Sequence, residues 1–336
     1  ARMSAARNVW LMRSDDHAAN AISAYGSVIN QTPNIDRLAE EGMRFDHCYV
    51  TNSICTPSRA AILTGTHNHV NGVTTLTTHI DNRLPNVAKH LKASGYQTAL
   101  FGKWHLGQGK AHEPTGFDSW SVLPGQGDYH APMFIQSDGN KVREEGYVTD
   151  IITDKCLNWL EERDEEKPFF LMCHHKAPHR EWNPKPEHRS LYLDDFPLPD
   201  TLNDDYANRA QAAKEARMRI SEDMTYQDLD LVQLPEDVHM NRNGLTRRKV
   251  PFPEDPSGLE LRCMITGEVF TFETQQELLE FKYQRYIRKY VQCIHSVDEN
   301  VGRMLDWLDE QGLAENTMVI YTSDQGFYLG EHGWYD

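Results

Sequence analysis

Long apolar runs are missing from this sequence: no stretch is extended enough to span a bilayer, and the opening "ARMSAARN" lacks the apolar centre of a secretion signal. The six cysteines, Cys48, Cys55, Cys156, Cys173, Cys263 and Cys293, form no CxxC pair and no framework spacing, which excludes a zinc module and a disulfide scaffold. Basic residues are also in short supply. Lys and Arg number 34 against 50 Asp and Glu, a formal charge of −16, so neither nucleic acid nor an anionic membrane surface is an expected partner. No internal repeat or low-complexity tract is present. What the chain does have, 336 residues with 39% hydrophobic and 10% aromatic content, is enough for a large buried core. Any anionic ligand must find a local basic pocket in an acidic molecule.

Apolar runs alternate with amphipathic stretches. "NVWLM" leads into "SDDH", "QTALFG" into "KWHLG", "PFFLMC" into "HHKAPHREW" and "MVIYTSD" into "QG", each a strand that ends in polar residues. Between them lie helices: one capped by Thr32 with Pro33 at its first turn and Gly42 as its stop, one around Leu84 to Ser94, one through "YVTDIITDKCLNWLEER", and a long one from about Leu278 to Gln311. The pattern predicts an α/β fold. It breaks at about 184–256, a Pro-, Asp- and Arg-rich insertion or lid with one helix near Tyr206 to Arg219.

In open α/β sheets, ligands bind beyond the carboxyl ends of the strands. The groups delivered there are Asp15 and Asp16, Lys103 and His105, then His174, His175, Lys176 and His179, and finally Asp324 and Gln325. The oxygen-only set Asp15, Asp16, Asp324 and Gln325 suits a hard cation, Ca²⁺ or Mg²⁺, better than zinc. Each Asp pair taken alone is equally at home in a loop or as a helix cap, and "HHKAPH" reads also as a loop with incidental basic residues. "SICTPSRAAILTG" adds a cysteine at the mouth of a helix, with Pro57 in its first turn, Gly65 as its stop and Arg59 one turn on. Such a helix N-terminus suits an anion and a nucleophile together.

"CTPSRAAILTG", with "SDDH", "GKWHLG" and "TSDQG" in that order, resembles the type I sulfatases of the alkaline-phosphatase-like superfamily, along the whole chain. The resemblance implies an alkaline-phosphatase-like sandwich, a large mixed β-sheet between helices, completed in the family by a smaller C-terminal subdomain. Here 1–336 reads as a catalytic domain without that subdomain, and the family's further sulfate-binding lysine after "GEHG" does not appear before Asp336. It also implies that Cys55 is converted to formylglycine, by a formylglycine-generating or anaerobic sulfatase-maturating enzyme. The hydrated aldehyde would attack sulfur through one hydroxyl and expel sulfate through the other.

Carried over residue by residue, Asp15, Asp16, Asp324, Gln325 and position 55 are metal ligands, with Ca²⁺ preferred and Mg²⁺ the alternative. Arg59 and Lys103 hold diol and sulfate oxygens, His105 is the base, and His179 with Lys176 serves the departing alkoxide. "LPGQGDYHAPMFI" and "KAPHREW" resemble the branch that removes 6-O-sulfate from N-acetylglucosamine in glycosaminoglycan or mucin breakdown, with Gln126, Asp128, Tyr129, His175, Trp182 and His332 as candidate sugar contacts. The Gly-rich loop reads equally as a turn. A phosphonate or phosphate monoester hydrolase and a non-catalytic carbohydrate-binding relative are the alternatives. A periplasmic or secreted location with the signal removed stands beside a cytoplasmic one.

Overall fold

The computed structural model describes residues 7–234 and 252–336. The chain divides into two compact units, the first comprising the chain to His179 and Ile294–Gly326, the second Arg180–Cys293 and Phe327–Asp336. The part of the expected insertion that falls on 235–251 lies outside the described residues. Among the described residues no helix is long and apolar enough to cross a membrane.

The first unit is built on seven strands: β1 (Asn8–Ser14), β2 (Gln97–Lys103), β3 (Ser119–Leu123), β4 (Met133–Gln136), β5 (Lys141–Arg143), β6 (Phe169–His174) and, after the long helix, a strand at Thr317–Ser323. The sheet runs from Thr317–Ser323 through β1, β6, β2, β3 and β4 to β5. It is parallel as far as β3 and antiparallel from β3 onward, hence mixed. Parallel strands need cover on both faces, and alternation along each strand supplies it. Val9 and Leu11 pack with Ala60, Leu63, Leu100 and Met172, while Trp10 turns to the other face and meets Phe169 and Trp307 edge-on, each at 6.4 Å.

The helix Pro33–Glu41 is capped from a distance. Thr32, the expected cap, makes no capping bond to it. Its hydroxyl instead receives the Ser23 N–H, and the carboxylate of Asp298, on the long helix Gln275–Glu310, takes the N–H groups of Asn34 (3.2 Å) and Ile35 (2.9 Å). The helix expected from Leu84 begins at Val87, because Asn86 accepts the Lys89 N–H at 2.9 Å and fixes the start there.

Gly102 shows what the close strand ends demand. Its φ is +109°, and an added Cβ would run into the His174 carbonyl on β6. Gly102→Ala is expected to cost about 2–3 kcal/mol and lower Tm by roughly 5–10 °C, measured by a thermal melt. An unchanged melt would show that the two strand ends are looser than this.

The second unit holds a small antiparallel sheet of β-strands at Leu231–Leu234, Glu260–Cys263 and Val269–Thr271. The helix expected at Tyr206–Arg219 shrinks to Gln211–Glu215. Side chains of Asp204 and Asp205 take the N–H groups of Tyr206 and Ala207, and Tyr206 and Asn208 have positive φ, so turn geometry replaces the first helical turns.

Candidate active site

The strands of the first unit end together, and their polar extensions meet. Asp15 and Asp16 continue β1, Lys103 closes β2 with His105 beyond it, His174 closes β6, and Asp324 and Gln325 follow the edge strand. Backbone bonds tie the extensions: Asp15 N–H to Ala177 O at 3.2 Å and His175 N–H to Arg13 O at 2.7 Å. Asp16 and His105 both adopt left-handed backbone conformations, φ +67° and +55°. Such geometry is costly for residues with a Cβ and concentrates at functional sites.

The helix Cys55–Thr64 brings the cysteine motif to the same place. Gly65 ends it in the left-handed region with its N–H on Ala61 O, and Ser58 Oγ donates to the Asp324 carbonyl at 2.5 Å. Arg59 is buried and fully engaged. Its Nε donates to Asp324 Oδ2, its Nη2 pairs with Asp15 Oδ1 and Asp324 Oδ2, each at 2.9 Å, and its Nη1 donates to Lys103 O at 2.8 Å. The Lys103 ammonium contacts the Asp15 carboxylate directly. Ligand atoms of Asp15, Asp16, Cys55 and His179 lie within 4.8 Å of one another. The Asp16 N–H donates to Asp324 Oδ1 at 3.1 Å, and His179 Nε2 stands 3.7 Å from Asp16 Oδ2.

Gln325 tests whether a cation fits here. As placed, its Nε2 donates to Asp16 Oδ1 and lies 3.5 Å from Cys55 Sγ, while its buried Oε1 has no partner among the described residues. Turning the amide over, an assignment that rests on its surroundings, would aim Oε1 at the carboxylates. An oxygen beside acidic oxygens is stable when a cation lies between them. Three carboxylates and one amide, all oxygen donors, fit a hard divalent ion. His179 was expected to serve the leaving group, and the structure also puts it within reach of the same cluster.

Electrostatics sharpen the picture. Burial, then Asp16 and Asp324, push the Cys55 thiol far up, which reverses the expectation that the helix N-terminus would favour a thiolate. Before any cation arrives, Cys55 is a protonated, poorly nucleophilic thiol. Burial, then Lys103 and Arg59, bring His105 down to about 3, so its imidazole is neutral near pH 7. Its Nδ1 has no partner among the described residues. Burial, then Lys176, holds Lys103 well below the usual ammonium range, and an anion bound beside it would restore the charge.

Arg13 is a residue of the site that the sequence reading does not single out. It is buried, and its Nη2 donates to His174 Nδ1 at 2.8 Å, with Arg59 and Asp324 close enough to act on its charge. An ionisable side chain inside an otherwise apolar strand, two positions before the acidic pair, was the signal. The buried basic side chains of Arg13, Arg59, Lys103 and Lys176 thus share this region with the buried carboxylates of Asp15, Asp16 and Asp324. A divalent ion would add to the positive side and favour an anionic ligand.

The candidate sugar contacts divide. Tyr129 lies with the site: its hydroxyl donates to His179 O at 2.6 Å, and Lys176 Nζ sits 4.6 Å above its ring. Gln126 is half-buried with Oε1 unpartnered among the described residues, and Asp128 is exposed, 3.9 Å from Arg143. His175 is buried, its Nε2 3.5 Å from Cys173 Sγ. In the second unit, Trp182 is 0% exposed, its ring packed on Tyr286 and Phe327, and His332 pairs with Asp204 at 2.7 Å.

A mixed sheet with acids, a cation pair and a helix-borne cysteine at its strand ends defines the class, and the chain belongs to the Sulfatase family, whose profile matches residues 7–336. It is 44% identical over 339 residues to an N-acetylglucosamine-6-O-sulfatase of Bacteroides thetaiotaomicron, an alignment covering 98% of this chain and 60% of that relative. Human iduronate 2-sulfatase is 25% identical, over 98% of this chain and 56% of its own length. A solved structure of BT4656 in complex with its substrate D-glucosamine-2-N,6-O-disulfate superposes with a TM-score of 0.84 and 41% identity, covering 98% of this chain and 68% of that one. The chain thus spans about 60% of the length of the curated relatives it matches. The fold is the α/β arrangement of these structures, a large mixed sheet flanked by helices.

Proposed function

We propose that this chain is the catalytic portion of a sulfatase that hydrolyses the 6-O-sulfate of N-acetylglucosamine residues in glycosaminoglycans or mucins. The observation that carries the reading is the convergence of Asp15, Asp16, Cys55, Arg59 and Lys103 at one set of strand ends, in a chain 44% identical to a sulfatase of that name. Asp15, Asp16, Asp324 and Gln325 would hold a divalent ion, with Ca²⁺ favoured because the set offers several protein oxygens, whereas Mg²⁺ keeps most of its waters. Position 55 as formylglycine, beside that ion, supplies the nucleophile. Cys55 is 5% exposed, so a maturating enzyme would act before the chain closes around it.

The chain's own residues do the rest. Arg59, fixed by two carboxylates, and Lys103 stand where they would offset the negative charge of the sulfate oxygens. His105, neutral and unpartnered at Nδ1, takes the proton released at position 55. His179, steadied through its carbonyl by Tyr129, and Lys176 stand where the departing sugar oxygen needs a proton or a positive charge. The substrate arm is tested on matched compounds. The chain is expected to release sulfate from 6-sulfated N-acetylglucosamine at least about ten-fold faster, by kcat/KM, than from a 2-O-sulfated uronic acid. Equal or reversed rates would refute the sugar assignment, and faster release of phosphate from a phosphate monoester would refute the sulfatase assignment.

A further inference from the structure

A cavity opens in the first unit, and His105 forms part of its wall. Its volume is about 320 Å³, within the range of small-molecule sites and large enough for one hexose ring rather than a chain. Trp104 and Trp120 contribute the aromatic part of the lining, and both are anchored in the hydrophobic core. Trp104 Nε1 is held on His112 O at 2.8 Å, so that part of the wall is rigid. His79, Gln108 and Glu113 bring polar groups, and Leu76 stands in the lining, 42% exposed. Gly107 has φ +112°, and a side chain there would collide with His79 and His112, so the loop can lie close only because the residue is glycine.

The charge of this wall is the opposite of its neighbour's. The candidate active site gathers Arg59, Lys103 and Lys176, whereas the cavity lining contains no lysine or arginine, and its one carboxylate is Glu113. A sulfate or uronate placed there would meet that carboxylate with no countercharge. A ring with hydroxyl groups and apolar C–H faces would find aromatic surface on one side and polar partners on the other. His105 remains neutral there and adds no positive charge.

We propose that this cavity is a subsite for an uncharged sugar ring that adjoins the sulfated residue, which deepens the sulfatase reading and rests on it. The substrate is then a glycan in which a neutral hexose or hexosamine neighbours the sulfated unit. Unsulfated N-acetylglucosamine and glucuronic acid are the probes, observed by saturation-transfer NMR on the whole chain, its Leu76→Trp variant and its Glu113→Gln variant. Transfer to N-acetylglucosamine is expected with the parent, and to fall by about five-fold or more in Leu76→Trp, which fills the cavity from a partly exposed position. Glucuronic acid should bind weakly to the parent and gain several-fold in Glu113→Gln. Equal transfer to N-acetylglucosamine in parent and Leu76→Trp, or equal transfer to both probes in the parent, overturns the subsite. Neither probe carries a sulfate, so the outcome is separate from turnover. Binding lost in Leu76→Trp, in a chain that releases no sulfate from any sugar, would sink the catalytic reading and leave the subsite standing.

Discussion

Cys55→Ser, expressed where serine cannot be converted to formylglycine, is expected to melt as the parent does and to lose sulfate release by about 10³-fold or more under multiple turnover. The fold survives because serine is close to cysteine in size and is at ease at a helix N-terminus, where Cys55 sits. Catalysis does not, because a serine beside three carboxylates offers a single hydroxyl and no carbonyl through which to expel sulfate. If Cys55 were only a packed thiol, the same change would alter stability mildly and leave kcat where it was. The upward push that burial, Asp16 and Asp324 give the thiol separates this from an ordinary cysteine mechanism as well. Retained multiple turnover in the serine variant, measured by sulfate release, contradicts the account.

Asp324→Ala should do more damage, since the side chain serves two masters. It is a proposed ligand, and it is also the carboxylate on Arg59 Nε and Nη2 and the acceptor for the N–H groups of Asp16 and Gln325. Removing it leaves a buried guanidinium short of a partner, which typically costs about 3–5 kcal/mol. Asp324→Asn keeps the shape and the amide-to-backbone contacts, so it is the variant to read for metal content by elemental analysis. Bound divalent ion is expected to fall below stoichiometry in it, with activity lost in parallel; unchanged metal would move the site elsewhere.

The pH dependence follows from the same carboxylate. Burial would raise its pKa, but Arg59, Arg13 and Lys103 outweigh that and hold it below the ordinary value. A depressed carboxylate contributes stability that is complete above its unfolded pKa of about 4 and is lost as pH falls through the folded value. The Asn variant should therefore show a smaller drop in Tm on acidification than the parent.

The strand ends were legible through length and flanks: an apolar run as short as "NVWLM", leading straight into polar residues, reads as a buried strand, and the acids that follow then emerge at its end. The helix from Cys55 to Thr64 was legible through Pro57 and Gly65. What escaped was information carried by distant residues. Asp298 caps a helix 264 positions earlier in the chain, so Thr32 looked like the cap. Arg13 drew no attention because its partner His174 lies 161 positions away, on a strand whose place between β1 and β2 no local pattern encodes. Near Tyr206, alanines and a lysine suggested a longer helix than forms, because Asp204 and Asp205 turn the backbone first. The thiol's raised pKa likewise depends on carboxylates from both ends of the chain, which a reading of the helix N-terminus alone could not weigh.

The central claim is that position 55 is not a cysteine in the working protein. Its most direct test is the mass of the proteolytic peptide spanning Ser53 to Arg59, from protein co-expressed with a formylglycine-generating enzyme, read alongside sulfate release by the same preparation. The account predicts loss of the sulfur and its replacement by an aldehyde that reacts with a hydrazide probe, in proportion to activity. An intact thiol in a preparation that turns over 6-sulfated N-acetylglucosamine would contradict it.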